Sequence, residues 1–163
     1  MTTVYNKTKV KSWIKKAYKQ HSLVYGHGYI TDGYVMLVDE PYMHPTILEV
    51  YGTLTPECRY TAEQFQRLIN LPDKPIEVID SHLEFVPDPS RLRILYDPKT
   101  GKEIAIDCVY FELFDNPEVY GFYTNDRMTQ LWITYNNEVV GVVAPLSVHT
   151  YLPAISNYIQ RRS

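Results

Sequence analysis

The sequence predicts an α+β domain, and three patterns carry that expectation. Val10, Trp13, Ile14, Ala17 and Tyr18 recur at the i, i+3, i+4, i+7 and i+8 spacing that puts apolar side chains on one face of a helix. Between Gly28 and Asp39, apolar and aromatic residues flank a Thr31-Asp32-Gly33 turn, the pattern of two short strands tightly joined. Arg91–Tyr96 and Lys102–Ile106 flank Asp97-Pro98-Lys99-Thr100-Gly101, a hairpin turn with Pro early and Gly where positive φ is needed. At 163 residues the chain is expected to form one domain, residues 1–163, with room for a sizeable core.

Taken in order, the first helix is expected over Thr8 to Gln20, with Asn6 or Thr8 as its cap and the His21-Ser22 step and Gly26 beyond its end. Residues 23–38 read as a strand meander bent at glycines, and His27 between two of them reads as a polar turn residue. Pro41 to Pro45 is expected to be a loop and Thr46 to Tyr51 a strand, from its β-branched and aromatic content. Thr61 can cap a short helix to Asn70, with Phe65, Leu68 and Ile69 on one side. Pro75 to Pro89 reads as edge or connecting strands, because prolines bound it. Asp107 is expected to cap a short helix over Cys108 to Phe114. Glu118–Tyr123, Gln130–Tyr135 and Glu138–Val143 follow as strands, the last two joined by Asn136-Asn137, which tolerate positive φ. His149 to Arg162 has helical spacing, so residues 146–163 are expected to append a C-terminal helix.

Charge is distributed unevenly along this order. Residues 1–31 carry six Lys and no acid, whereas the remaining 132 hold ten basic and nineteen acidic side chains. Lys11, Lys15 and Lys19 line the helix face opposite the apolar stripe, with Lys9 and Lys16 on its flank. Lys7-Lys11, Lys11-Lys15 and Lys15-Lys19 are like-charged i,i+4 pairs, each costing roughly 0.2 to 0.5 kcal/mol, and no Glu within the helix relieves them. A solvated basic helix would show this face, as would a surface that meets a polyanion.

The function classes that need a chemical motif find little support. Cys58 and Cys108 lack zinc spacing and read as buried thiols. Gly101-Lys102 is not a phosphate loop, since no Gly precedes it at the required distance and Glu103 follows the Lys. Asp80, His82 and Glu84 alternate and would share a strand face, as a metal or acid–base group would, or as plain surface. With no nucleophile–base pair, the expectation is a protein that is not an enzyme and takes no cofactor. No apolar run reaches about 18 residues and no leader pattern is present, so a soluble, cytoplasmic protein without a membrane partner is expected.

The two halves share an order: helix then three strands, and hairpin, short helix then three strands. That is the pattern of an internal duplication. Ile30-Thr31-Asp32-Gly33-Tyr34 after a helix, Ile106-Asp107 leading to Tyr110, and Val142-Val143-Ala144-Pro145-Leu146 at the close together resemble a single domain of the DNA polymerase sliding-clamp, or processivity-factor, family. The resemblance covers about residues 5–146. It implies two βαβββ units with helices packed on antiparallel sheet, and it would turn the lysine helix toward duplex DNA. A full clamp ring has six such domains, so one domain implies homo-oligomers or other replication proteins as partners. The expected nucleic-acid-binding residues are Lys9, Lys11, Lys15, Lys16 and Lys19, in a replication accessory protein of phage or mobile-element type. The alternative is a protein-interaction module on the same fold, for which fifteen tyrosines supply aromatic surface.

Overall fold

Local hydrogen bonds start the architecture where the sequence places its caps and turns. The computed structural model describes residues 5–86 and 91–146. Helix α1, Lys7–Lys19, begins at Asn6, whose side-chain oxygen accepts from the Lys9 backbone N–H at 3.2 Å. Its Val10, Trp13, Ile14 and Ala17 are buried, while Tyr18 remains partly exposed and meets the Tyr51 ring edge-on. Strands β1 (Val24–Gly26), β2 (Tyr29–Thr31) and β3 (Val35–Val38) form the expected meander. The β2–β3 turn is held by Asp32, whose Oδ1 accepts from the backbone N–H groups of Tyr34 and Val35 at 2.9 and 3.0 Å.

Residues 41–51 overturn the expected loop and strand. Pro41–Met43 is a 3₁₀ turn that runs into helix α2, His44–Tyr51. Pro45 lies at the first helical positions, where its fixed φ suits a helix and its missing N–H costs nothing. Gly52, at φ 75°, closes the helix left-handed and donates its N–H to Leu48 at 2.8 Å. The β-branched content of Thr46 to Tyr51 is overridden because Met43, Thr46 and Ile47 bury in the core from a helical turn. Helix α3, Ala62–Ile69, starts at a complete capping box between Thr61 and Gln64, and Leu68 stays exposed.

The stretch after Pro75 is a connecting strand, one of the two alternatives the sequence offered. Strand β4, Ile76–Phe85, stands between β7 and β5 in the strand order and changes partner along its length. Ile76 to Val78 pair with β7 (Glu118–Thr124), and Ile79 to Phe85 pair with β5 (Leu92–Tyr96) across a bulge between Asp80 and Leu83, where His82 has φ 61°. Strand β6, Glu103–Asp107, completes the expected hairpin with β5. Helix α4 is capped by Asp107 but is only Cys108–Phe111, shorter than expected. Strands β8 (Arg127–Tyr135) and β9 (Glu138–Val143) meet at Asn136 and Asn137, both at positive φ. The proposed helix over His149 to Arg162 lies outside the described residues.

The described strands form one antiparallel sheet of nine, in the order β1-β2-β3-β9-β8-β7-β4-β5-β6. Two meanders, β1-β2-β3 after α1 and β7-β8-β9 after α4, join by their last strands, with Met36 opposite Val142. The sheet curls, because the chain leaving β9 reaches edge strand β6, where Leu146 donates its backbone N–H to Ala105 at 2.9 Å. Side chains from all nine strands, among them Tyr25, Ile30, Leu37, Val78, Leu95, Ile106, Val119, Ile133 and Val143, share a core with Val10, Trp13 and Ile14 of α1 and Ile47 of α2. On the other face α3 seals a smaller cluster of Val24, Met36, Phe65, Ile69, Trp132 and Val142. An α+β fold with helices on both faces of the sheet follows.

Candidate nucleic-acid interface

The apolar stripe of α1 is consumed by the core, which turns the lysines outward. All five expected site lysines, Lys9, Lys11, Lys15, Lys16 and Lys19, are exposed. Tertiary structure nevertheless divides them, and here the expectation of an unrelieved cationic face is corrected. Lys9 Nζ lies 2.9 Å from Glu112 Oε2, in the turn after α4, and Lys15 Nζ lies 3.6 Å from Glu49 of α2. Both acids are remote in sequence and arrive through packing. Lys7 sits over the Tyr42 ring at 5.3 Å from its centroid, a cation–π contact. Among the described residues Lys11, Lys16 and Lys19 have no ion pair. Lys16 and Lys19 occupy the last turn, where the helix dipole favours cations.

Glu112 is the hinge of a wider charge network. Its Oε1 accepts from Arg91, which also binds Glu84 at 3.0 Å. The hydrogen bond from Lys9, more than the opposing burial, and then the charges of Lys9 and Arg91, hold the Glu112 carboxyl below the usual carboxylate range. The second half of the chain thus offers α1 an acid rather than a second basic helix.

Asp80, His82 and Glu84 do gather, around Arg93. Arg93 Nε and Nη2 each donate to Asp80 at 2.8 Å, Nη2 lies 3.2 Å from His82 Nδ1, and Nη1 lies 3.7 Å from Glu84. Burial would raise the Asp80 carboxyl, but the guanidinium and the His82 backbone N–H together lower it. The cation of this constellation is a side chain of the protein itself. His27 lies in the β1–β2 turn at φ 54°, its ring 6.2 Å from that of Phe65, and among the described residues no group of three or more His, Cys, Asp or Glu side chains is placed to hold a metal. Cys108 is buried, and that burial pushes its thiol up to about 11; Cys58 is half-buried, its thiol 3.4 Å from the Tyr60 carbonyl.

Sequence reasoning also missed a groove of about 150 Å³ on the α3 face of the sheet. Thr31, Gly33 and Tyr34 from the β2–β3 turn, Val142 and Ala144 from the end of β9, and Leu68 of α3 line it with their neighbours. Both motifs were legible as motifs. Their meeting depends on the β3–β9 pairing, which no local pattern announces. No helix among the described residues is long and apolar enough to cross a membrane. Comparison with protein-family models, curated proteins and solved structures finds no match.

Proposed function

We propose that this protein is a non-enzymatic, clamp-like accessory factor of DNA replication that contacts duplex phosphates through α1 without reading sequence. The observation that carries the reading is the exposed helix face on which Lys11, Lys16 and Lys19 have no acidic partner among the described residues. Lys11 and Lys19 are eight residues apart, about 12 Å along the helix axis, so they can address separate phosphates. The repeated order of helix and three-stranded meander, joined through β3 and β9, supports the clamp-like arrangement of two related units. The four-residue α4 and its acidic neighbour Glu112 offer no second basic helix, which supports a contact made through α1. Fold alone does not assign the role, so the test is on the lysines.

Duplex binding measured across a salt series is expected to weaken steeply with salt. Changing Lys11, Lys16 and Lys19 to Gln should flatten the slope of log affinity against log salt by roughly 2 to 3, because each lost phosphate contact removes about 0.9. Lys9→Gln and Lys15→Gln should change it less, since their charges are already shared with Glu112 and Glu49. Absence of duplex binding at low salt rejects the proposal. A ring would require several copies of the chain, and solution mass with small-angle scattering distinguishes a compact monomer from a closed oligomer.

The groove favours a second reading, a protein-interaction module. Its lining sets the exposed Leu68 and Val142 beside polar Thr129 and Gln130, and the Gln130 side chain donates to the Leu68 carbonyl at 2.6 Å. A protein that ignores duplex DNA but selects apolar peptides, and loses that selection in Leu68→Arg, would have this role instead.

A further inference from the structure

Tyr34 is 63 % exposed, the most exposed large apolar side chain among the described residues, yet it is firmly held. Its backbone N–H donates to Asp32 Oδ1 at 2.9 Å, and its carbonyl accepts from Ala144 at 2.8 Å. Its ring stacks on that of Tyr110 in α4, with centroids 6.2 Å apart and planes 21° from parallel. Two carboxylates border the pair. Asp32 accepts the Trp13 indole N–H at 3.0 Å and the Tyr110 hydroxyl, and Asp107 accepts the Val109 N–H at 2.9 Å as the cap of α4. Burial first, then the charge and hydrogen bond of Asp32 and the charge of Asp107, raise the Tyr110 hydroxyl above its ordinary value, so both acids act on that ring. Their donors are neutral, and among the described residues neither carboxylate has an ion pair; Lys9, one turn before Trp13 on α1, is taken by Glu112.

Elsewhere the chain places its own cations over its rings: Lys7 over Tyr42, Arg59 over Tyr60, Arg93 over Phe111 and Lys102 over Tyr123. Among the described residues no cation covers Tyr34 or Tyr110. An exposed aromatic face bordered by two carboxylates without a counter-ion attracts a cation through the ring quadrupole and through charge together. Arginine suits it better than lysine, because a planar guanidinium lies flat on a ring while its N–H groups reach a carboxylate. Tyr34 also lines the groove that holds Leu68 and Val142, so apolar surface adjoins the cation-attracting face.

We infer that the Tyr34–Tyr110 pair, bordered by Asp32 and Asp107, receives an arginine of a partner protein whose neighbouring apolar side chain enters the groove. The inference rests on the groove taking a protein and adds the partner's charge to that reading; it holds whether or not α1 also meets DNA. The test selects a random peptide display library on the full chain, which should enrich arginine beside an apolar residue. One enriched peptide is then synthesised with arginine and with citrulline, its neutral isostere, and both are titrated by fluorescence anisotropy. The arginine form should bind about tenfold tighter to the wild type. Tyr34→Leu, which keeps an apolar side chain but removes the ring, and Asp107→Asn, which keeps the helix cap but removes the charge, should each cut that ratio about threefold. Tyr34→Phe should preserve it. Selection without arginine enrichment, equal binding of the two forms, or a ratio that neither variant lowers overturns the inference. If Leu68→Arg abolishes binding in any of those cases, the groove reading stands without it. A library that yields no binder overturns both. A dimer seen by light scattering that Tyr34→Leu dissolves assigns the surface to a second copy of the chain and overturns the inference.

Discussion

Asp97 shows how much a single turn residue holds. It is 1 % exposed, and its carboxylate accepts the Lys99 backbone N–H at 2.9 Å, the Thr100 hydroxyl at 3.0 Å and the Tyr123 hydroxyl at 2.7 Å. Tyr123 belongs to β7, so the β5–β6 turn is tied to the other meander through one acid. The Tyr123 hydrogen bond outweighs burial and, with the Lys99 and Thr100 donors, holds the Asp97 carboxyl below its ordinary value. A depressed carboxylate contributes stability that is present above the unfolded value, near pH 4, and is lost as pH falls through the lower folded value. Asp97→Asn is expected to cost about 2 kcal/mol at neutral pH, because an amide nitrogen then faces donors. It should also remove part of the acid-induced loss. Urea unfolding of both proteins at neutral and acidic pH checks the two effects together.

At the scale of elements, the legible parts were those whose ends carry their own chemistry. Asn6, Thr61 and Asp107 cap the helices they were expected to cap, and Asn136-Asn137 turns as expected. Helix α2 was missed because its β-branched and aromatic residues match a strand as well as a buried helix, and short apolar runs cannot be separated by periodicity. The bracketing Pro45 and Gly52 were the available signal. Gly52 is where this can be tested: a Cβ there meets nothing within 4 Å, so only the backbone conformation at φ 75° penalises a side chain. Gly52→Ala should therefore destabilise by about 1 kcal/mol, read as a lower thermal midpoint with an unchanged denaturant slope. The lysine helix was legible in boundary, buried stripe and exposed charge. Its pairing was not, because Glu49 and Glu112 lie on other elements.

At the scale of the molecule, the pairing of β3 with β9 joins the two meanders and assembles the groove. Gly141 sits opposite Leu37 in that seam, and a Cβ on it would lie 2.9 Å from the Phe114 ring and 3.0 Å from the Met36 carbonyl oxygen. Phe114 is buried and the carbonyl is backbone, so neither yields without moving the strands. Gly141→Ala should cost about 1 to 3 kcal/mol and loosen the seam, seen as faster hydrogen exchange at β3 and β9 relative to β5 and β6. By contrast, changing Lys11, Lys16 and Lys19 to Gln should leave stability within about 0.5 kcal/mol of the wild type, read by thermal unfolding, since relief of repulsion at Lys11 and Lys19 is offset by the dipole stabilisation lost at Lys16 and Lys19.

The sequence by itself determined the α+β class, the cationic helix, most turns and caps, and the order of the two meanders, all of which follow from spacing within about ten residues. Tertiary structure alone decided the helical state of residues 44–51, the change of partner along β4, the sharing of Lys9 and Lys15 with remote acids, and the stacking of Tyr34 on Tyr110. The physical reason is range. Caps, turns and periodicity act through a residue's neighbours in the chain, whereas ion pairs, seams and grooves exist only after a curled sheet has brought distant residues together.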